Sequence, residues 1–175
     1  WWQQRLAETA TLMLQREFIG GFYLDVMQGS ALPCYWTPHG HSAGGGSSAT
    51  LGMYRLSSAI YDAVKAQDSE TITTGENMAE NMIDVTDGAL QATLWADTKA
   101  PIFATVYQDY ITRYGLEISN DLGTPDAFFI ECASQFVEGS QVGRLRLRPR
   151  DRTLSFDNPE HREMIDFLER IVGYY

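Results

Sequence analysis

Basic residues are scarce in this chain: 13 Lys and Arg stand against 23 Asp and Glu, for a net charge of −10. That balance argues against a nucleic-acid partner, because phosphate binding needs a basic surface. Long apolar runs are missing too. No stretch approaches the roughly 20 residues needed to span a bilayer, so no membrane span is expected. Cysteine is nearly absent, and Cys34 and Cys132 show no metal-type spacing. Each reads as a buried thiol or as half of a disulfide. An initiator Met is also lacking: the chain opens Trp1-Trp2-Gln3-Gln4-Arg5, already inside an amphipathic pattern. We expect a fragment of a longer protein, in which no secretory leader could show. Secreted and periplasmic locations both stay open.

What is present is enough for a core. Of 175 residues, 44% are hydrophobic and 12% aromatic, which suits one compact domain over residues 1–175 and not two large ones. One basic tract breaks the acidic balance, Arg144-Leu145-Arg146-Leu147-Arg148-Pro149-Arg150-Asp151-Arg152. Strand periodicity would put its five arginines on one face. A solvated edge strand is the plainer reading, and an anion or partner site the sharper one.

Periodicity then orders the chain. Leu6, Ala10, Leu14 and Phe18, with Met13 beside them, predict a helix over about 3–17, ended by Gly20-Gly21. Phe22-Tyr23-Leu24 predicts a buried parallel strand stopping at Asp25. A loop rich in Gly, Pro, Ser and His runs from Gln28 to about Ser48. Met53, Leu56, Ile60 and Val64 mark a helix from about Thr50 to Ala66. Glu70 to Thr74 predicts a strand ending at Gly75-Glu76, and Ala89 to Trp95 and Ile102 to Tyr107 predict two more. Asp126 to about Val137 is apolar nearly all round, which predicts a deeply packed helix. Asn158-Pro159 opens the last helix as N-cap and first helical residue, with Met164, Phe167, Leu168 and Ile171 as its core face. Alternating strands and helices argue a parallel α/β fold. Pattern alone leaves barrel and open sheet undecided.

In such folds active groups collect at the carboxyl ends of strands, and two carboxylates fall there, Asp25 and Glu76. A carboxylate closing an apolar strand is costly to bury without a partner, so a salt bridge or a helix cap competes with a catalytic role. Two carboxylates in one pocket are what glycoside hydrolysis requires, one ionised and the other protonated. Adjacent parallel strands lie about 4.8 Å apart, compatible with the roughly 5 Å separation of a retaining pair. In the loop after Asp25, Tyr35 and Trp36 could stack on a sugar ring, and His39 and His41 could bond its hydroxyls; a loop whose aromatics only pack is the alternative. His39-x-His41 with Asp25 also raises a metal question, but no convincing further ligand joins them and no metal or organic cofactor is expected. Glu80, four residues after Glu76, could support it or contact ligand if the segment is helical. Asp84 reads as a structural cap or pair. Trp95, with Asp97 just after it, closes one predicted strand, and Tyr107 with Asp109 closes the next. Trp95 and Asp109 join the candidate ligand contacts, with a structural role open for Asp109.

Taken in order, several segments resemble a group of bacterial barrel proteins related to glycoside hydrolases, many carried as a domain of unknown function. They are Gly21-Phe22-Tyr23-Leu24-Asp25, His39-Gly40-His41-Ser42-Ala43-Gly44-Gly45-Gly46 and Thr73-Thr74-Gly75-Glu76-Asn77-Met78-Ala79-Glu80. Ile83-Asp84, Asp87-Gly88, Pro101-Ile102-Phe103 and Val106-Tyr107-Gln108-Asp109-Tyr110 follow. The likeness covers most of residues 2–143; at Asn77-Met78 the group tends to have a small residue. It implies a partial TIM (β/α)₈ barrel, roughly strands four to eight with their helices, since a whole one takes about 250 residues. By analogy with the α-amylase clan it implies Asp25 as nucleophile and Glu76 as acid/base in a retaining glycosidase. A non-catalytic carbohydrate-binding or relic barrel, inactive as a fragment, is the alternative. An open sheet would also leave an edge and an apolar face that a second copy is expected to cover.

Overall fold

The computed structural model describes residues 1–16, 19–26, 32–38, 40–44, 46–76, 79–90, 102–115, 118–119, 125–143, 145–146 and 157–173. They fall into two compact units, residues 1–90 and 91–175. The fold is α/β with a parallel sheet.

In the first unit, helix α1 (Trp2–Arg16) leads into β1 (Gly21–Leu24), and α2 (Ser48–Gln67) returns the chain to β2 (Ile72–Glu76). A 3₁₀ turn (Glu80–Val85) and β3 (Gly88–Leu90) follow. The three strands run parallel, β2 between the other two. Alternation along β1 turns Phe22 and Leu24 to one side. There they meet Ala10, Ile60 and Val64, with Leu6, Leu14 and Leu56 packed around. Of the stripe expected on α1, Leu6, Ala10 and Leu14 pack here, Met13 is exposed and Phe18 lies outside the described residues; α1 lies against α2. Thr73 and Gly75, the register partners of Phe22 and Leu24, share that covered side and are buried. The opposite side carries Tyr23, Ile72, Thr74 and Glu76, and is far more open: Tyr23 is 43% and Ile72 52% exposed. β1 and β2 approach closely, since a Cβ at Gly21 would lie 2.9 Å from the Ile72 carbonyl oxygen; glycine is required there by space.

Asp87 ties α2 to this sheet. Its carboxylate accepts from the Thr73 N–H at 2.8 Å and the Tyr61 hydroxyl at 3.3 Å, and pairs with Lys65 Nζ at 2.9 Å. The Asp87 N–H donates in turn to the Thr73 carbonyl at 2.7 Å.

The second unit contains α3 (Ile102–Tyr107), β4 (Thr112–Tyr114), β5 (Ile118–Ser119), α4 (Pro125–Val137), β6 (Leu145–Arg146) and α5 (Pro159–Val172). β5 and β6 pair in parallel. Its core gathers Ile118, Phe128, Cys132, Met164 and Ile171, with Phe129 against Phe167 at a ring-centroid separation of 4.8 Å. Met164, Phe167, Leu168 and Ile171 are the face expected of α5, and the Asn158 carbonyl accepts the Arg162 N–H at 2.9 Å, as a helix-capping residue should. Arg113 is buried, its guanidinium 3.5 Å from the Glu138 carboxylate.

Two expectations are corrected. Residues Ile102 to Tyr107 form a helix and not a strand. Their β-branched and aromatic content favours a strand, but the fourfold spacing of Phe103 and Tyr107 lets the rings meet at 5.0 Å, while Ala104 is buried. Helix α4 is not deeply packed all round. Phe128 and Cys132 are inside, whereas Ile130, Phe136 and Val137 are exposed, so its apolar composition overstated its burial. Of the arginine tract, only Leu145–Arg146 is among the described residues, as a strand.

Candidate functional site at the carboxyl ends of β1 and β2

The pairing of β1 with β2 ends at Leu24↔Gly75. Asp25 follows the last paired residue of β1 and lies in a turn, and Glu76 follows Gly75 on β2. Glu76 is also the last residue of β2, paired with Leu90 of β3. Asp25 is exposed and Glu76 half-buried. The two strand ends are linked directly, because the Val26 N–H donates to Glu76 Oε2 at 3.2 Å. Val26 has a φ of 61°, the one described residue other than glycine with a positive φ. The left-handed region is a true outlier for a β-branched side chain. Strand register, then, brings both candidate carboxylates to one edge, and a backbone amide anchors one of them.

Glu80 does not share a helix with Glu76. It opens the 3₁₀ turn and is exposed, while Glu76 closes β2. The turn is held to α2 by the Tyr54 hydroxyl, which donates to Asp84 Oδ2 at 2.6 Å. This bond raises the Tyr54 pKa, with burial and the Asp84 charge adding to it, and Asp84 has the structural role expected of it.

The loop between β1 and α2 holds the remaining first-unit candidates. Trp36 is 65% and Tyr35 73% exposed. Cys34 and Gly44 form an antiparallel bridge, the Gly44 N–H donating to the Cys34 carbonyl at 2.8 Å. His41 is half-buried, its Nδ1 2.7 Å from the Ser42 carbonyl oxygen. That contact requires a proton on Nδ1, which leaves Nε2 as the acceptor of a neutral ring. His41 lines a recess of about 90 Å³ with Pro33, Cys34, Gly44, Gly46 and Ser48, against the first turn of α2. Neither cysteine is in a disulfide. His39 and Trp95 lie outside the described residues, as do Asp97 and Asn77-Met78. Asp109 is exposed in the turn that follows α3, so the strand end on which it was expected does not exist. Among the described residues no group of three or more His, Cys, Asp or Glu is placed to hold a metal ion.

Sequence reasoning missed the part played by Val26. A valine after a strand carries no sign of a left-handed backbone, and a donor that is main chain leaves no mark in residue type. Tyr54 was equally silent, since its spacing on α2 says nothing of a partner 30 residues on.

Comparison with known proteins adds the following. A protein of Monosiga brevicollis, "Putative glycoside hydrolase 22789", is 29% identical over 156 residues, which are 82% of this chain. The chain spans 12% of that protein's length. No solved structure matches. The family described as "Domain of unknown function (DUF6259)" matches residues 1–118, a span that includes β1, β2 and both candidate carboxylates. The chain belongs to that family.

Proposed function

We propose that this chain carries part of the active site of a retaining glycoside hydrolase, with Asp25 and Glu76 as its working carboxylates. The observation that carries this reading is the parallel register of β1 and β2, whose last pair, Leu24↔Gly75, directly precedes Asp25 and Glu76 at the carboxyl edge of the sheet. Neighbouring strands are about 4.8 Å apart, close to the roughly 5 Å between carboxyl groups in retaining enzymes. The relative named as a glycoside hydrolase supports the same class. The sheet is then part of a (β/α)₈ barrel, roughly its strands four to eight, with the Tyr23, Ile72 and Glu76 side facing the barrel axis.

In this mechanism Asp25 attacks the anomeric carbon as the bond to the leaving oxygen breaks, and Glu76 gives that oxygen its proton. Glu76 then takes a proton from water as the water displaces Asp25. Trp36 and His41 contact the sugar, with Glu80 beside them. Removing either carboxylate, by Asp25→Asn or Glu76→Gln, is expected to slow reducing-sugar release from oligosaccharides by about 10²–10⁴-fold while sugar still binds by calorimetry. Wild-type turnover in either variant overturns the assignment. The exposed pair Tyr35 and Trp36 favours a second reading, a carbohydrate-binding relic; binding with no turnover by the wild-type chain or by the longer protein that contains it would select it.

A further inference from the structure

We infer that Val26 is a positioning residue whose backbone N–H fixes which oxygen of Glu76 handles the proton, an inference that rests on the reading of Glu76 as the acid/base. Two observations meet at this residue. Its N–H reaches Glu76 Oε2 at 3.2 Å, and its φ of 61° stores strain of about 1–3 kcal/mol for a residue that is not glycine. The geometry explains why they occur together. Rotation about φ leaves the N–H where it is and redirects only the chain that follows. A left-handed φ at Val26 therefore keeps the donor on Glu76 within the turn that Asp25 and Val26 make after β1. An extended Val26 would carry the strand onward beside the Glu76 carboxylate, along the edge where substrate has to approach.

The consequence is an asymmetric carboxyl group. A backbone N–H can only donate, so Oε2 is an acceptor whether Glu76 is ionised or protonated. A carbonyl oxygen accepts better than a hydroxyl oxygen, so the acid form places its proton on Oε1, and Oε1 is the oxygen that delivers it to the glycosidic oxygen and recovers one from water. A carboxyl group free to rotate would present either oxygen and would lose the orientation on which proton transfer depends. Asp25, one residue before, is set by the same peptide unit that supplies the donor, so one main-chain bend places both carboxylates.

Two measurements test this. In a ¹⁵N-resolved pH titration, the Val26 amide proton is expected to shift with the ionisation of Glu76, and that inflection is expected to vanish in Glu76→Gln. The second replaces Val26 by its α-hydroxy analogue, 2-hydroxyisovalerate, so that an ester oxygen stands in for the N–H and the side chain is kept. In the longer protein that contains this chain, with an oligosaccharide that it hydrolyses, kcat is expected to fall about 100-fold with KM changed less than twofold. An amide inflection that survives in Glu76→Gln overturns the inference. So does an ester variant with wild-type kcat when Glu76→Gln is inactive, and in that case the glycosidase reading stands. Full activity in Glu76→Gln, or no hydrolysis by the longer protein that contains this chain, brings down the reading and the inference together, whatever the amide shows.

Discussion

At the scale of single residues, the second unit treats two buried ionisable groups, Arg113 and Cys132, differently. Burial pushes the Arg113 guanidinium below its ordinary value and the adjacent Glu138 opposes that shift; removing Glu138 would leave a buried charge uncompensated, which costs more than the pair does. Cys132 has no such partner. Burial, helped by the nearby Glu131 charge, pushes its thiol from an ordinary 9.0 up to about 12. The folded state thus holds a proton that the unfolded chain releases. This contribution to stability is complete below about pH 9 and is lost as pH rises towards 12. We expect the urea midpoint to fall over that range more steeply in the wild type than in Cys132→Ala, and iodoacetamide at pH 8 to spare Cys132 in the native protein, as read by peptide mass spectrometry.

At the scale of elements, the first unit depends on how α2 is fastened to β2 and β3. Hydrophobic contacts of Ile60 and Val64 set the packing, and Asp87 sets the register by answering the Thr73 amide, the Tyr61 hydroxyl and Lys65 at once. Asp87→Ala leaves the Thr73 N–H without its carboxylate acceptor and takes the counter-charge from Lys65, whose ammonium keeps only the Ser69 and Thr71 carbonyls, so we expect a loss of about 2–3 kcal/mol in urea unfolding. Asp87→Asn, which keeps an acceptor oxygen, should lose less. The helices α1, α2 and α5 were legible because each presents a regular apolar stripe with a clear start or stop. Helix α3 was not, because six residues rich in Ile, Phe, Val and Tyr satisfy a strand pattern as well as a helical one.

At the scale of the whole molecule, the net charge of −10 acts on both units. Like charges in excess repel within the compact state, and salt screens them over about 10 Å at 0.1 M. We expect the melting temperature to rise when NaCl is increased from about 0.02 to 0.3 M, the surplus of repulsions outweighing the few attractive pairs such as Lys65–Asp87. A fall would mean that those pairs dominate. No helix among the described residues is long and apolar enough to cross a membrane, in keeping with the absence of long apolar runs.

The order from α1 to β2, the apolar faces of α2 and α5 and the ends of β1 and β2 were determined by the sequence itself, because periodicity, Gly20-Gly21 and Asn158-Pro159 act over a few residues. That is also why Asp25 and Glu76 could be singled out as strand-end carboxylates. Their mutual placement was decided only by the tertiary structure. It depends on a pairing between residues about 50 positions apart and on a main-chain donor at Val26. The same holds for the exposure of one side of α4 and for the partners of Tyr54 and Asp87. Those depend on which neighbour occupies the adjoining space, and local pattern does not specify the neighbour.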